Sequence, residues 1–435
     1  MTAVDSNLLA DLEARGLIAQ MTGGDELSTH LCEVSRTLYC GFDPTADSLH
    51  IGSLVPLLTL KRFQMAGHKP IALVGGATGL IGDPSFKAQE RKLNTPNTVS
   101  DWVEKIKSQV SAFISFDSPV NGAEVVNNLD WVGNIDVLSF LRDVGKHFSI
   151  NNMIKKESVK QRIEREGEGI SFTEFTYMLL QSYDFAELYQ RHTCSLQIGG
   201  SDQWGNIVGG VDLVKRMHGG HAFGLTLPLV TKSDGTKFGK TESGTIWLDP
   251  AKTSPYAFYQ FWLNSADADV YKFMRYFTFL SVEKIASIEV DDTVNDGRPQ
   301  GQAILAREMT KMVHGESGLL AAERITEALF SGGLASLSEG DLEQLKLDGL
   351  PATTMMRDSL GAEPFTQVLV DCGMASNGKQ VKDSLGRSAV LINGEAKSMQ
   401  DNMQVTESFA IDRALYDRFF ICKLGKKRYH LFEIV

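Results

Sequence analysis

The chain has no long apolar run, few cysteines and an excess of negative charge, and each of these removes a class of protein. Its least polar stretch, Ile71 to Gly82, is short and rich in glycine, so no membrane span of roughly 20 apolar residues is expected. The opening residues Met1-Thr2-Ala3-Val4-Asp5 lack a basic stretch leading into an apolar one, so no signal peptide is expected either. Five cysteines (Cys32, Cys40, Cys194, Cys372 and Cys422) are odd in number and scattered, which supports neither a disulfide framework nor a structural zinc. Reduced thiols in a cytoplasm are the expectation. A formal net charge of -11 argues against indiscriminate binding of polyanions, so any RNA contact has to come from a local basic patch.

Two phosphate-binding fingerprints are also missing. A P-loop ending at Gly239-Lys240-Thr241 needs a glycine five residues before Gly239, where Asp234 stands. The run Gly75-Gly76-Ala77-Thr78-Gly79-Leu80-Ile81-Gly82 fails the G-x-G-x-x-G spacing, and Pro84 interrupts a helix opening from it. A nicotinamide oxidoreductase is therefore disfavoured. Close packing at a strand exit and contact with a ligand explain those glycines about equally well.

What is present is enough for a large folded protein: 435 residues, 43% apolar and 22% charged, point to two or three globular domains. Arg36 to Cys40 reads as a strand, broken by Gly41 and Pro44 before the helical pattern Leu54 to Ala66. A strand delivering its end to the mouth of a helix makes a natural phosphate site, because unpaired N–H groups and the positive dipole end meet there. His50 and Ser53, three apart on the first turn, face such a ligand together, and Gly52 lets it approach the backbone. Ile71 to Val74 reads as a second, buried parallel strand, which makes strand, helix, strand the repeating unit of a doubly wound sheet.

Further along, Trp102 to Phe113 has helical spacing and Val125 to Asn128 reads as a strand end. Val137 to Arg165 carries more apolar positions than a lone helix pair needs, through core packing or a partner surface. Ser171-Phe172-Thr173-Glu174 is a capping box opening a helix to about Arg191. Tyr177, Gln181 and Asp184 fall on one side of that helix and set a phenol, an amide and a carboxylate in a row that needs partners. The strand Ser195 to Ile198 then hands over to Gly199-Gly200-Ser201-Asp202-Gln203-Trp204-Gly205-Asn206. Lys237-Phe238-Gly239-Lys240-Thr241 places two lysines around a glycine, as a phosphate-gripping loop does.

The His50 turn paired with this distant lysine loop resembles the HIGH and KMSKS signatures of class I aminoacyl-tRNA synthetases. The words Tyr39-Cys40-Gly41-Phe42-Asp43-Pro44-Thr45, Gly199 to Asn206 and Lys237 to Thr241 are similar to those of bacterial-type tyrosyl-tRNA synthetases in particular. The resemblance implies an α/β fold: a doubly wound, Rossmann-like catalytic domain over 1–245, with a dimer-forming insertion at about 125–170. It further implies an α-helical anticodon-side domain over 246–335, a linker over 336–364 and a small α+β S4-like RNA-binding domain over 365–435. Activation of L-tyrosine by ATP with Mg²⁺, transfer to tRNA(Tyr), and a homodimer with no membrane association follow from it.

By the same resemblance, His50, Thr45, Ser53, Lys237, Lys240 and Thr241 are catalytic, and both lysines grip ATP. Tyr39 and Asp184 hold the substrate phenol, Tyr177, Gln181 and Asp83 hold its amino group, and Asn128 and Gln203 lie among these contacts. Cys40, Gly41, Asp43, Gly52, Gly200 and Asp202 contact ATP or the adenylate, and no protein metal ligand is implied. Phenylalanine in such a slot leaves buried polar groups unpaired, which costs several kcal/mol. Ser53 departs from the pattern by standing where the second histidine is expected, and a hydroxyl carries no positive charge. A catalytically weakened, synthetase-like RNA-binding protein is the alternative this opens. RNA contact is expected at Lys423 to Arg428, where a solvated basic tail is the other reading; Lys87 to Lys92 is either a solvated face or a second RNA contact.

Overall fold

The computed structural model describes residues 4–83, 94–155, 159–160, 163, 170–236, 238–241, 244–294, 299–361, 364–399 and 404–435, excepting the side chains of residues 240, 241 and 359. The chain divides into two compact units, Met1–Thr241 with Ala266–Arg298, and Glu242–Ser265 with Pro299–Val435.

The first unit is built on a six-stranded sheet of β1 (Gln20–Met21), β2 (Thr37–Phe42), β3 (Lys69–Val74), β4 (Glu124–Asn127), β5 (Cys194–Gly200) and β6 (Phe223–Leu227). Its order is β1-β6-β5-β2-β3-β4, parallel throughout except for the short edge strand β1. The chain therefore walks outward from β2 to β4, returns to the far side of β2 with β5, and leaves a topological switch point between β2 and β5. A ligand crevice is expected there, at the carboxyl ends of the strands. Leu38, Ile71, Ala72, Val74, Leu196 and Leu225 are all fully or almost fully buried, as the near-continuous apolar strands of a sheet covered on both faces require.

Four helices matter for the site: α1 (Leu54–Met65), α2 (Pro96–Ser111), α3 (Phe172–His192) and α4 (Trp204–His218). Ser171 starts α3 by accepting the Glu174 N–H, and Thr193 ends it in the left-handed region at φ 50°. Pro96 begins α2 behind the cap Thr95, earlier than the apolar spacing alone suggests. Between β4 and α3, the described residues from Val137 to Ile154 form a series of short helical turns, Val137–Ser139, Phe140–Val144, Gly145–His147 and Ile150–Ile154.

In the second unit, the helix Pro255–Leu263 is capped by Ser254 and packs along the long helix Gly301–Ser331, which breaks at Gly315. A five-stranded sheet follows, ordered β9-β8-β10-β11-β7 from β7 (Ala352–Met355), β8 (Val390–Ile392), β9 (Glu395–Lys397), β10 (Phe419–Leu424) and β11 (Arg428–Ile434). Strand alternation buries both faces: Phe420 and Cys422 pack with the helices Phe365–Asp371 and Gly378–Leu385, whereas Phe419 and Ile421 pack with Ile325, Leu342 and Leu345.

Two boundaries differ from the sequence reading. Residues 336–364, expected as a linker, put Leu337, Leu342 and Leu345 into that core and supply β7, because a capped apolar turn has a sheet face to cover. The helices Asp267–Phe277 and Val282–Val294 belong to the first unit instead of a contiguous helical domain.

Candidate active site

At the switch point lies a cleft of about 670 Å³, lined by the ends of β2 and β5, the His50 turn, one side of α3, Leu229 to Thr231, and Gly235, Thr236 and Phe238. Thr45, His50, Ser53, Tyr39, Asp83, Tyr177, Gln181, Asp184 and Gln203 all line it, as do Cys40, Gly41, Asp43, Gly52, Gly200 and Asp202. Asn128 does not; it is fully buried behind Asp184. Lys237 lies outside the described residues, as do the side chains of Lys240 and Thr241 and the basic stretch Lys87 to Lys92.

One end of the cleft is organised by Asp184, 2% exposed. Its carboxylate accepts from Asn128 Nδ2 at 3.0 Å and from Trp131 Nε1 at 2.7 Å. Burial pushes its pKa up to about 7, against the two donated hydrogen bonds that favour the ionised form. Asn128 is itself fixed, accepting from Ala77 N at 2.7 Å and donating to Thr78 Oγ1 at 3.1 Å. Beside this network the Tyr39 hydroxyl and the Gln181 Oε1 are buried with no hydrogen-bond partner among the described residues. Burial, with the Asp184 charge nearby, holds the Tyr39 phenol well above its ordinary value, so it is a neutral donor.

The middle of the cleft is held by Asp43, which accepts from Thr78 Oγ1 at 2.7 Å and from Tyr177 Oη at 2.6 Å. In the turn that follows β5, Gln203 Nε2 donates to Asp83 Oδ2 at 2.8 Å. The glycine run after β3 proves to be a packing device. A Cβ on Gly75 would lie 2.0 Å from Asp43 Oδ1, and one on Gly76 2.2 Å from Asn127 Oδ1. Cys40 is no nucleophile, because burial raises its thiol to about 12.

At the other end His50 caps the turn Ile51–Ser53 that leads into α1, its Nδ1 accepting the Gly52 N–H at 3.0 Å. In the neutral ring the proton then sits on Nε2, which makes His50 a donor. Gly52 is required by the protein itself, since a Cβ there would lie 2.8 Å from the His50 ring. The lysine loop comes to the same place: Phe238 lines the cleft, and a Cβ on Gly239, at φ +76°, would lie 2.5 Å from Ile51 Cγ2. The two distant signatures therefore meet at one cleft. Trp131, Thr78 and Gln197 are the residues the sequence reading missed; only the place of Trp131, just after the end of β4, hinted at one of them.

A switch-point cleft with hydrogen-bond donors at one end and a buried polar slot at the other is the frame of a nucleotide-binding enzyme that tests a second, smaller substrate. The chain belongs to the class I tRNA synthetases of the tryptophan and tyrosine branch, whose family model matches residues 33–331. The Tyrosine--tRNA ligase SYY-like C-terminal domain matches 341–432. The chain is 64% identical over 432 residues to the tyrosine--tRNA ligase of Aliivibrio fischeri, 99% of each chain, and 59% identical over 426 residues to that of Dechloromonas aromatica, 98% of each. A C-terminally truncated mitochondrial tyrosyl-tRNA synthetase of Aspergillus nidulans aligns at TM-score 0.67 and 30% identity, over 74% of this chain and 94% of that one. The tyrosyl-tRNA synthetase of Archaeoglobus fulgidus, complexed with L-tyrosine, shares the fold at TM-score 0.53 and 15% identity.

Proposed function

We propose that the chain is a tyrosine–tRNA ligase: it joins L-tyrosine to ATP as tyrosyl-adenylate with release of pyrophosphate, then passes the tyrosyl group to the terminal ribose of tRNA(Tyr). The observation that carries this is the pairing, in one cleft, of a buried Tyr39 hydroxyl, without a partner among the described residues, with the buried Asp184 carboxylate. A substrate phenol donates to Asp184 and accepts from Tyr39. Gln181, Tyr177 and Asp83 offer oxygens to an ammonium, with Gln203 orienting Asp83.

The chemistry then needs little proton transfer. The tyrosine carboxylate is already ionised, it attacks the α-phosphorus of ATP, and pyrophosphate departs with the bonding electrons. Positioning and stabilisation of crowded negative charge do the work. His50 donates through Nε2, Thr45 and Ser53 through hydroxyls, and Lys237, Lys240 and Thr241 are assigned to the leaving pyrophosphate. Cys40, Gly41, Asp43, Gly52, Gly200 and Asp202 line the nucleotide side. With Ser53 in place of a second histidine, His50 and the lysine loop carry most of the stabilisation. Mg²⁺ is assigned to the phosphates of ATP, where it would screen their charge.

A homodimer is part of this reading, supported by the insertion between β4 and α3, where Val137, Leu138 and Ile150 stand 72%, 79% and 60% exposed. Contact with tRNA is assigned in part to the exposed turn between β10 and β11, which carries Lys426, Lys427 and Arg428. Five free cysteines suit a reducing cytoplasm, and no described helix is long and apolar enough to cross a membrane. The catalytic domain is taken as 1–245 together with the helices of 266–298. Exchange of labelled pyrophosphate into ATP, run with each of the twenty amino acids, tests the reading. Exchange with tyrosine alone is expected, whereas none from well-folded protein leaves the weakened RNA-binding alternative.

A further inference from the structure

The helix Asp267–Phe277 brackets the two signatures that meet at the cleft. On its first turn Asp269, 1% exposed, accepts from the Ser233 N–H at 2.9 Å and the Ser233 hydroxyl at 3.0 Å. One turn on, Lys272 donates to the Thr231 carbonyl at 2.7 Å and pairs with Asp269 at 3.2 Å. Farther along, Phe273 and Phe277 receive the Phe238 ring at centroid distances of 5.1 and 5.2 Å. The far end of the same helix is tied to α1, because the buried Arg62 donates to the Thr278 carbonyl. One rigid element therefore holds the root of the lysine loop, its aromatic anchor and the helix that begins at the His50 turn.

We propose that Asp269 is a positioning residue for adenylate formation: by fixing Ser233 it sets where Phe238 and Gly239 seat against Ile51, and so where the loop lysines stand relative to His50. This rests on the ligase reading above. Burial opposes the charged form of Asp269, but the Ser233 donors and Lys272 outweigh it and keep the carboxyl below its usual range. The ion is thus stable where the loop needs an acceptor. A carboxylate accepting both a backbone N–H and a hydroxyl fixes a loop root more firmly than either bond alone, and loss of such charge-assisted bonds costs about ten- to a hundredfold in an equilibrium.

The test is tyrosine activation by pyrophosphate exchange and single-turnover adenylate formation in wild type, Asp269→Asn, Asp269→Glu and the milder Ser233→Ala. The expected result is a fall of about ten- to a hundredfold in activation by Asp269→Asn with a raised KM for ATP, unchanged tyrosine affinity, and partial rescue by Asp269→Glu. Ser233→Ala, which keeps the N–H, is expected to lose less. In the Lys240→Ala background Asp269→Asn is expected to lose less than it does in wild type, because only the positioning of Lys237 is then left to lose. Full additivity with Lys240→Ala, or wild-type activation in Asp269→Asn, overturns the proposal, as does a parallel loss of tyrosine binding. Wild-type protein without tyrosine-dependent exchange defeats the ligase reading itself, a separate outcome.

Discussion

Replacing Asp184 by Asn separates what the site needs from what the fold needs. In the folded chain the Asp184 carboxyl titrates at about 7, against 3.8 for the ordinary group. A group that holds its proton more tightly when folded makes stability fall as pH rises between those two values. The loss is complete above pH 7, where that gap corresponds to about 4 kcal/mol. Asparagine removes this cost but keeps a carbonyl for either Trp131 or Asn128 and not for both, leaving one buried donor unpaired at a cost of about 2 kcal/mol. Asp184→Asn is therefore expected to be the more stable protein by about 2 kcal/mol at pH 8, with the advantage shrinking toward zero near pH 5. Urea midpoints of the two proteins at both pH values read this directly. The same substitution is expected to cut tyrosine activation by about ten- to a hundredfold and to narrow the preference for tyrosine over phenylalanine. A variant less stable than wild type at pH 8, or one with the same advantage at both pH values, refutes the assignment of a costly buried charge kept for substrate.

Three other outcomes follow from the same geometry. Trp131→Phe removes a donor at 2.7 Å from Asp184, so the carboxyl should titrate higher; in wild type tyrosine affinity should rise about tenfold from pH 6 to 8, and in the variant the midpoint should move up. Equilibrium dialysis of labelled tyrosine across pH checks it. Gly52→Ala forces a Cβ to within 2.8 Å of the His50 ring, so adenylate formation should slow at least about tenfold with tyrosine affinity unchanged, as single-turnover kinetics will show. Leu138→Asp places a charge on a 79% exposed apolar position of the insertion and should turn a dimer into monomers in sedimentation velocity runs.

Much of the site could be read without coordinates, for reasons that are local. Gly41 and Pro44 mark the strand exit, and helical spacing alone puts Tyr177, Gln181 and Asp184 on one side of α3. What stayed hidden depends on contacts between distant segments. Gly52 reads as room for a ligand, but its missing side chain makes room for His50. Trp131 carries no motif, and its indole matters only because α3 brings Asp184 to it. Arg62 is 6% exposed and its acceptor is a carbonyl 216 residues away, a pairing that no local pattern signals. The attachment of Asp267–Phe277 to the catalytic unit is hidden for the same reason: Asp269 reads as an ordinary first-turn acid until Ser233 is seen to donate to it.

The most direct measurement is a crystal structure with a non-hydrolysable tyrosyl-adenylate analogue. The account predicts the phenol between Tyr39 and Asp184, and the linkage that replaces the α-phosphate between the His50 turn and the lysine loop. An analogue bound elsewhere, or seated with its phenol away from Asp184, contradicts it.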